Sequence, residues 1–316
     1  MGLHQIFFNE YGRLRSGFRL LIFTAVFIFF SILLTEAVRL GYALLHNYFP
    51  SGRFASFFQN LFFRFSLVAT ALIAGYVCTR FLEGLPWRSL GLTLHAKWVR
   101  DLIVGSLVGI ASLAMGVGVA ATGGGLNFTL NTGDAVARVM QSLVGSGILF
   151  IVAALGEEAI FRGYPIQTLT RAHFAWLGVL LTSLGFASAH LFNPNVVPRF
   201  SFLNTALAGI WLGVAYLRTR SLWFPLGIHW GWNWALGSLF GLPVSGLHLV
   251  GAPLLSANDI GPEWLTGGSY GLEGGIAGTV AMLLATVLTW MLPFVAPTPE
   301  LLKLTSEEVP VGPKAD

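Results

Sequence analysis

Long apolar runs separated by short polar stretches dominate the pattern of this 316-residue chain. A run of about 20 apolar residues is long enough to cross the hydrocarbon core of a bilayer as a helix. Pro165 predicts a kink or local break inside one of these runs. The pattern predicts an all-α polytopic membrane helix bundle of about eight transmembrane helices, at residues 20–45, 61–81, 102–121, 139–171, 174–191, 202–217, 222–239 and 275–295.

The spans are predicted to form a single integral-membrane domain over residues 1–295, with its chemistry concentrated in residues 139–239. Residues 241–274 form a Gly/Pro-rich connection without Lys or Arg, and residues 296–316 are expected to be a polar, disordered cytoplasmic tail. Most of the 18 Lys and Arg residues fall on the side that holds both termini. The positive-inside rule therefore predicts a multi-pass protein with cytoplasmic N- and C-termini.

Composition agrees with this reading, since 55% of the residues are hydrophobic and only 10% are charged, against about 25% charged in soluble domains. Membrane lipid is therefore an expected partner. The basic residues form no patch, so nucleic acid is not. Cys78 is the only cysteine, which excludes an intramolecular disulfide and a multi-cysteine zinc site.

Three ionisable side chains stand together near the end of an uncharged run, at Glu157, Glu158 and Arg162. Charged groups at membrane depth are costly and indicate a functional site. Glu158 and Arg162 are four positions apart on one helix face, with the acid first, and are predicted to pair. Glu157 is rotated by about 100° from Glu158 and has no basic residue one turn ahead. Glu157 is therefore expected to point into a cavity and to have a role other than this ion pair.

Two further polar pairs lie in apolar helices, each with a spacing of four. Phe186 and His190 share a face of the fifth span, and His229 and Asn233 share a face of the seventh. Glu157, assisted by His190, has the chemistry to take a proton from a water molecule that attacks a carbonyl group. The second pair has the donors to stabilise the oxyanion that forms. We expect these three helices to share one hydrolytic site.

These residues resemble the three motifs of the CAAX protease and bacteriocin-processing family, the group of the Rce1-type, type II CAAX prenyl endopeptidases. The resemblance covers about residues 139–239 and rests on the motifs Glu157-Glu158-x-x-x-Arg162, Phe186-x-x-x-His190 and His229-x-x-x-Asn233.

The resemblance implies an eight-helix intramembrane glutamate protease without a cofactor. It implies that Glu157 and His190 activate the water and that His229 and Asn233 stabilise the oxyanion. Glu158 and Arg162 match positions that support the site. A peptide or protein is the implied substrate.

Alternatives stay open at this point. Two histidines and a glutamate could ligate zinc, although the His-Glu-x-x-His signature is absent. Serine chemistry lacks a Gly-x-Ser-x-Gly elbow. Gly133-Asp134 lies in a loop and lacks the second membrane aspartate of an aspartyl protease. A non-catalytic immunity or scaffold protein, or a transporter with a proton relay, would use the same polar cluster differently.

Helix geometry leaves one conflict in these assignments. Helical rise places Glu157 and His229 about 10 Å from the cytoplasmic boundary, but His190 about 24 Å from it. One site cannot hold residues at such different depths. We expect the fifth helix to be the misplaced one and the cavity to open toward the cytoplasm, where a substrate C-terminal tail would enter.

Overall fold

The computed structural model describes residues 3–45 and 53–311. Helices account for most of these residues. The helices are α1 (Leu3–Phe7), α2 (Ser16–Leu45), α3 (Arg53–Leu82), α4 (Trp98–Thr122), α5 (Val136–Glu158), α6 (Tyr164–Arg171), α7 (Ala175–His190), α8 (Pro198–Thr219), α9 (Trp223–Trp234), α10 (Glu263–Thr266), α11 (Ile276–Met291) and α12 (Pro299–Ser306). Two short strands, β1 (Leu126–Leu130) and β2 (Leu255–Asp259), pair antiparallel between two loops.

The apolar helices confirm the predicted all-α membrane bundle. Within the described residues, five helical stretches are long and apolar enough to cross a membrane: 16–44, 57–82, 98–122, 136–171 and 199–219. Two shorter apolar helices, 175–190 and 276–291, accompany them. Many large apolar side chains on α2 and α11, such as Phe29 and Met291, face outward. The number of eight crossings stays a prediction.

The fourth predicted span is interrupted just where Pro165 disturbs it. A wide helical turn at Ala159–Gly163 separates α5 from α6. A proline ring clashes with the carbonyl group four residues earlier and offers no N–H to it. A wider turn relieves both problems, and such turns are frequent at functional sites. Glu157 and Glu158 immediately precede this turn.

Glycines bring α4 and α9 into backbone contact. A Cβ atom at Gly105 would lie 2.3 Å from the carbonyl oxygen of Phe224, and one at Gly109 would lie 2.2 Å from that of Ile228. The facing residues Gly227 and Gly231 approach the backbone of α4 just as closely. Both helices therefore present glycines four apart, the pattern that lets membrane helices approach closely. This contact fixes the position of α9.

The two ends of the bundle differ. At one end, which we call the clasp end, residues 8–15 bind residues 308–311: Asn9 donates a hydrogen bond to Glu308, and Val311 N donates to Tyr11 O (2.9 Å). At the opposite end, the loop end, lie the β1–β2 ribbon and the 241–274 connection. The expected disorder of the tail is wrong for residues 296–311, because α12 and the clasp hold them against the bundle.

Buried ion pairs lie beneath the clasp. Glu83, at the end of α3, accepts hydrogen bonds from Arg19 (2.6 Å), Arg171 and Thr168. Arg19 also donates to Glu308. All of these charged side chains are at most 4% exposed. Breaking a buried pair leaves an uncompensated charge, so this network holds α2, α3, α6 and the tail together.

Glu308→Gln is expected to loosen the tail without affecting the core. The change removes the charge that Arg19 and Asn9 bind, and hydrogen bonds to charged groups contribute about 1.5–3 kcal/mol each. We expect faster proteolytic cleavage between α12 and residue 311, with a modest fall in Tm in detergent. Glu307→Gln, at a neighbouring position, is the matched control. Equal cleavage rates for both variants and the wild type would contradict the role of the clasp.

Candidate active site

A buried carboxylate, guanidinium and imidazole form the floor of the site. Glu158 Oε1 accepts a hydrogen bond from Arg162 Nη1 (3.1 Å), as the spacing predicts. The same oxygen lies 2.9 Å from His229 Nδ1. Arg162 also donates to the carbonyl oxygen of Gly209 (3.2 Å) on α8. Glu158 and Arg162 are fully buried. They therefore join α5 to α8 and α9 and set the orientation of the His229 ring.

Glu157 points away from this buried floor and into a cavity. Its carboxyl Oε2 lies 3.6 Å from His229 Nε2, and its side chain is 23% exposed. The cavity has a volume of about 420 Å³ and is lined mainly by apolar residues of α5, α8 and α9. Glu157, His190, His229 and Asn233 all line it. The geometric part of the sequence prediction is thus confirmed, while the chemical roles of these residues stay a prediction.

The orientation of His190 follows from its own helix. Its Nδ1 donates a hydrogen bond to the carbonyl oxygen of Phe186 (2.8 Å). In the neutral ring this bond leaves Nε2 as a proton acceptor. The Phe186 ring contacts the His190 ring in a tilted arrangement, with centroids 4.4 Å apart, and packs edge to face with the His229 ring at 5.9 Å. The Arg162 guanidinium lies over the same ring at 4.8 Å. Phe186 therefore acts as a spacer that holds both imidazoles apart.

Asn233 lines the cavity one helical turn after His229. A second wide turn, at Ala235–Leu239, begins two residues later. Each of the two helices that contribute most to the site therefore widens directly beyond its polar residues. Because a wide turn shifts the following residues, the helix can supply the site and still pack against its neighbours.

The structure resolves the depth conflict differently from the expectation. The bounds of α7 agree with the predicted fifth span, so that helix is not misplaced. Helical rise puts Glu157 about 21 Å from the end of α6 and His190 about 22 Å from the start of α7. The start of α9 packs beside Gly105, which lies about 10 Å along α4 from its first residue. His229 is therefore about 10 Å farther from the clasp end than its position in α9 alone would suggest. The three depths therefore agree.

The cavity reaches the loop end, opposite to the termini, where Asn193, Ser245, Leu247 and Leu249 line it. The cytoplasmic opening of the cavity and the cytoplasmic termini both stay predictions, and this placement means that they cannot both hold. The site lies about 20 Å from the clasp end and hence nearer the other boundary of a ~30 Å core.

Sequence reasoning missed two charged residues of the cavity wall. Arg64 of α3 is an isolated charge in an apolar span, a signal that alone indicates function. Glu273 belongs to the long connection and gave no such signal. It accepts hydrogen bonds from Trp232 Nε1 (2.9 Å) and from the backbone and hydroxyl groups of Ser245 (2.7 and 2.6 Å). Burial raises the pKa of the neighbouring Tyr270 to about 12, so its phenol stays protonated at neutral pH.

A metal site needs several ligands that converge on one point. Within the described part of the chain, no group of three His, Cys, Asp or Glu side chains has the geometry to hold a metal ion. His190 and His229 each use Nδ1 in a hydrogen bond within the protein, which leaves Nε2 of each ring for the cavity.

Comparisons with known proteins agree with the motifs. Residues 139–235 match the model of the family described as type II CAAX prenyl endopeptidase Rce1-like. An uncharacterised 24.3 kDa protein of Escherichia coli is 35% identical over 96 residues, which are 29% of this chain and 42% of that protein. The match therefore spans less than half the length of that relative. No solved structure matches the chain.

Proposed function

We propose, from the match of residues 139–235 to the Rce1-like, type II CAAX prenyl endopeptidase family, that the protein is an intramembrane endopeptidase that uses a glutamate-activated water. One observation carries the proposal. Glu157, His190, His229 and Asn233, contributed by three separate helices, line a single cavity in an apolar bundle. Ionisable groups at this depth are too costly to be kept for packing alone.

The proposed reaction begins with a water molecule between Glu157 and His190. Glu157 accepts a proton from this water as it attacks the carbonyl carbon of the scissile peptide bond. His190 Nε2, the free acceptor of its ring, accepts a second hydrogen bond and orients the water. The proton on Glu157 then passes to the leaving amine. Atoms and charge therefore balance without another reactant.

The oxyanion of the tetrahedral intermediate faces His229 and Asn233 in this proposal. Donors that are already oriented toward a developing charge stabilise it without reorganisation. With Nδ1 donating to the Glu158 carboxylate, His229 donates from Nε2 as well when its ring is doubly protonated, and this is the form that the proposal requires. Arg162 and Glu158 thus act through His229, as support for the donor.

The substrate in this proposal is a peptide or protein segment, such as a C-terminal tail, that reaches the cavity from the loop end. Termini on the cytoplasmic side would place that entrance on the opposite face of the membrane. Two variants in a Cys78→Ala background test this orientation, one with Asn9→Cys and one with His248→Cys. An impermeant thiol reagent added to one side of the membrane should label only one of the two variants. Labelling of both variants from the same side would contradict the orientation.

Chelation separates the glutamate reaction from its zinc alternative. We expect hydrolysis of a fluorogenic peptide by the purified protein in lipid nanodiscs to persist after prolonged dialysis against strong chelators. The reason is that the described residues hold no group of three His, Cys, Asp or Glu side chains placed to bind a metal ion, and that Glu157 supplies the base for the water. A zinc metalloprotease carried through the same dialysis is the control. Loss of activity that only added zinc restores would support the metal reaction instead.

A non-catalytic scaffold or immunity protein would keep the same cavity without turnover. A peptide library screened by mass spectrometry distinguishes the two functions. Cleavage that is absent from the Glu157→Gln variant supports the protease. No cleavage of any peptide or of co-reconstituted membrane proteins by the wild type would favour the scaffold.

A further inference from the structure

Arg64 is a cation in the wall of the cavity that no part of the proposed mechanism uses. It lies on α3, lines the cavity together with Leu67, and is partly buried. It also lines a polar groove between α2 and α3, beside Thr35 and Ser66. Across residues 3–45 and 53–311, its guanidinium makes no hydrogen bond or ion pair. An arginine side chain stays protonated in proteins, so Arg64 brings a positive charge to the cavity wall.

The other charges of the site are already balanced by direct contacts. The Glu158 carboxylate is bound by Arg162 and His229. The Glu273 carboxylate is bound by Trp232 and Ser245. Within the part of the chain that the structure describes, no side chain donates a hydrogen bond to the remaining carboxylate of the cavity, that of Glu157. Its Oε2 lies 3.6 Å from His229 Nε2.

Arg64 and Glu157 line the same cavity and carry opposite charges. Among the described side chains of α3, Arg64 is the one basic residue in this lining. The other titratable groups that line the cavity with Glu157 come from α7, from α9 and from the loop end: they are His190, His229 and Glu273. The ion pair of Glu158 and Arg162 lies buried behind them.

A base must be ionised to accept a proton, yet an apolar cavity favours the neutral carboxyl group. A cation a few ångströms away offsets this effect. We propose that Arg64 is the positioning residue that keeps Glu157 ionised, as the electrostatic partner of the base. This inference rests on the proposed function, in which Glu157 activates the water.

The pH dependence of kcat/KM tests the role of Arg64. Arg64→Met removes the charge and keeps the length of the side chain. We expect the acid limb of the profile to move to higher pH by about one unit or more, with about a tenfold loss of activity on that limb. Activity on the plateau should change much less. Arg64→Lys keeps the charge and should keep the limb near its wild-type position. Arg64→Gln repeats the test if the Met variant fails to fold.

A direct measurement of protonation makes the result independent of turnover. The infrared band of the protonated carboxyl group, assigned by its loss in Glu157→Gln, should titrate at higher pH in Arg64→Met. Arg199→Met, an exposed arginine at the start of α8, is the matched control and should leave both the band and the profile unchanged.

Three results would overturn the inference. The first is an unchanged acid limb and infrared titration in an active Arg64→Met variant. The second is an equal shift in Arg199→Met. The third is a rise in KM at all pH values that disappears when the peptide substrate carries a C-terminal amide, because Arg64 would then bind the carboxylate of the substrate. A wild type without peptidase activity would instead overturn the proposed function, even if the infrared shift is observed.

Discussion

Replacement of Glu157 by Gln is expected to lower the rate of peptide hydrolysis by about 10²-fold or more. Gln keeps the shape of the side chain and removes its ability to accept a proton from water. Glu157 makes no buried ion pair with Arg162, which binds Glu158 instead. The fold should therefore survive, with an unchanged Tm. Initial rates on a fluorogenic peptide, measured in nanodiscs, check the expectation.

Glu36→Gln supplies the control for this change. Glu36 is exposed on α2 and pairs only with Arg39, at 2.9 Å, so its loss should leave the rate at the wild-type value. Turnover by Glu157→Gln within a few-fold of wild type would exclude the glutamate mechanism. Loss of folding in Glu157→Gln would contradict the view that Glu157 is not needed for the buried contacts between Glu158 and Arg162.

Gly109→Ala is expected to lower the rate of peptide hydrolysis although it lies outside the cavity. Its new methyl group would lie 2.2 Å from the carbonyl oxygen of Ile228 and 2.9 Å from Trp232 N. Backbone atoms cannot rotate away, so α9 must move. His229 and Asn233 move with it, and a displacement of about 1 Å in a catalytic group costs on the order of 10² in rate. We expect a loss of that size, with a destabilisation of about 1–3 kcal/mol.

Gly118→Ala is the matched control on the same helix. A Cβ atom there meets nothing within 4 Å, so this variant should keep both rate and Tm. The ratio of the two activities therefore isolates the contact with α9 from the general effect of a glycine replacement. Equal activities for the two variants would mean that the close approach of α4 and α9 does not position the site.

The positions and lengths of the apolar runs predicted much of the fold. The predicted spans agree with α2 to α9 and α11 to within a few residues at most ends, because long apolar runs have unambiguous limits. Helical spacing also predicted that Glu158 and Arg162 pair and that Glu157 faces elsewhere. These relations lie within one helix, where a fixed rotation per residue determines which side chains share a face.

Relations between helices were less accessible from the sequence. The contact between His229 and Glu158 joins two helices whose rotation and depth depend on the glycines of α4 and α9. The depth of Glu157 depended on where its helix ends, and Pro165 marks a wide turn rather than a stop. Glu273 reaches the cavity through an irregular connection, where no period exists to predict its position.

The clasp carries a consequence for biosynthesis. Arg19 and Glu308 are separated by 289 positions, so their contact cannot form until nearly all of this chain has left the ribosome. Contacts of such long sequence separation form late because a large loop must close first. The buried Arg19 and Arg171 side chains have Glu83 as a partner earlier, but the final countercharge arrives with the tail. Quality-control proteases that sample the membrane surface would therefore encounter an open clasp end during synthesis and a sealed one afterward.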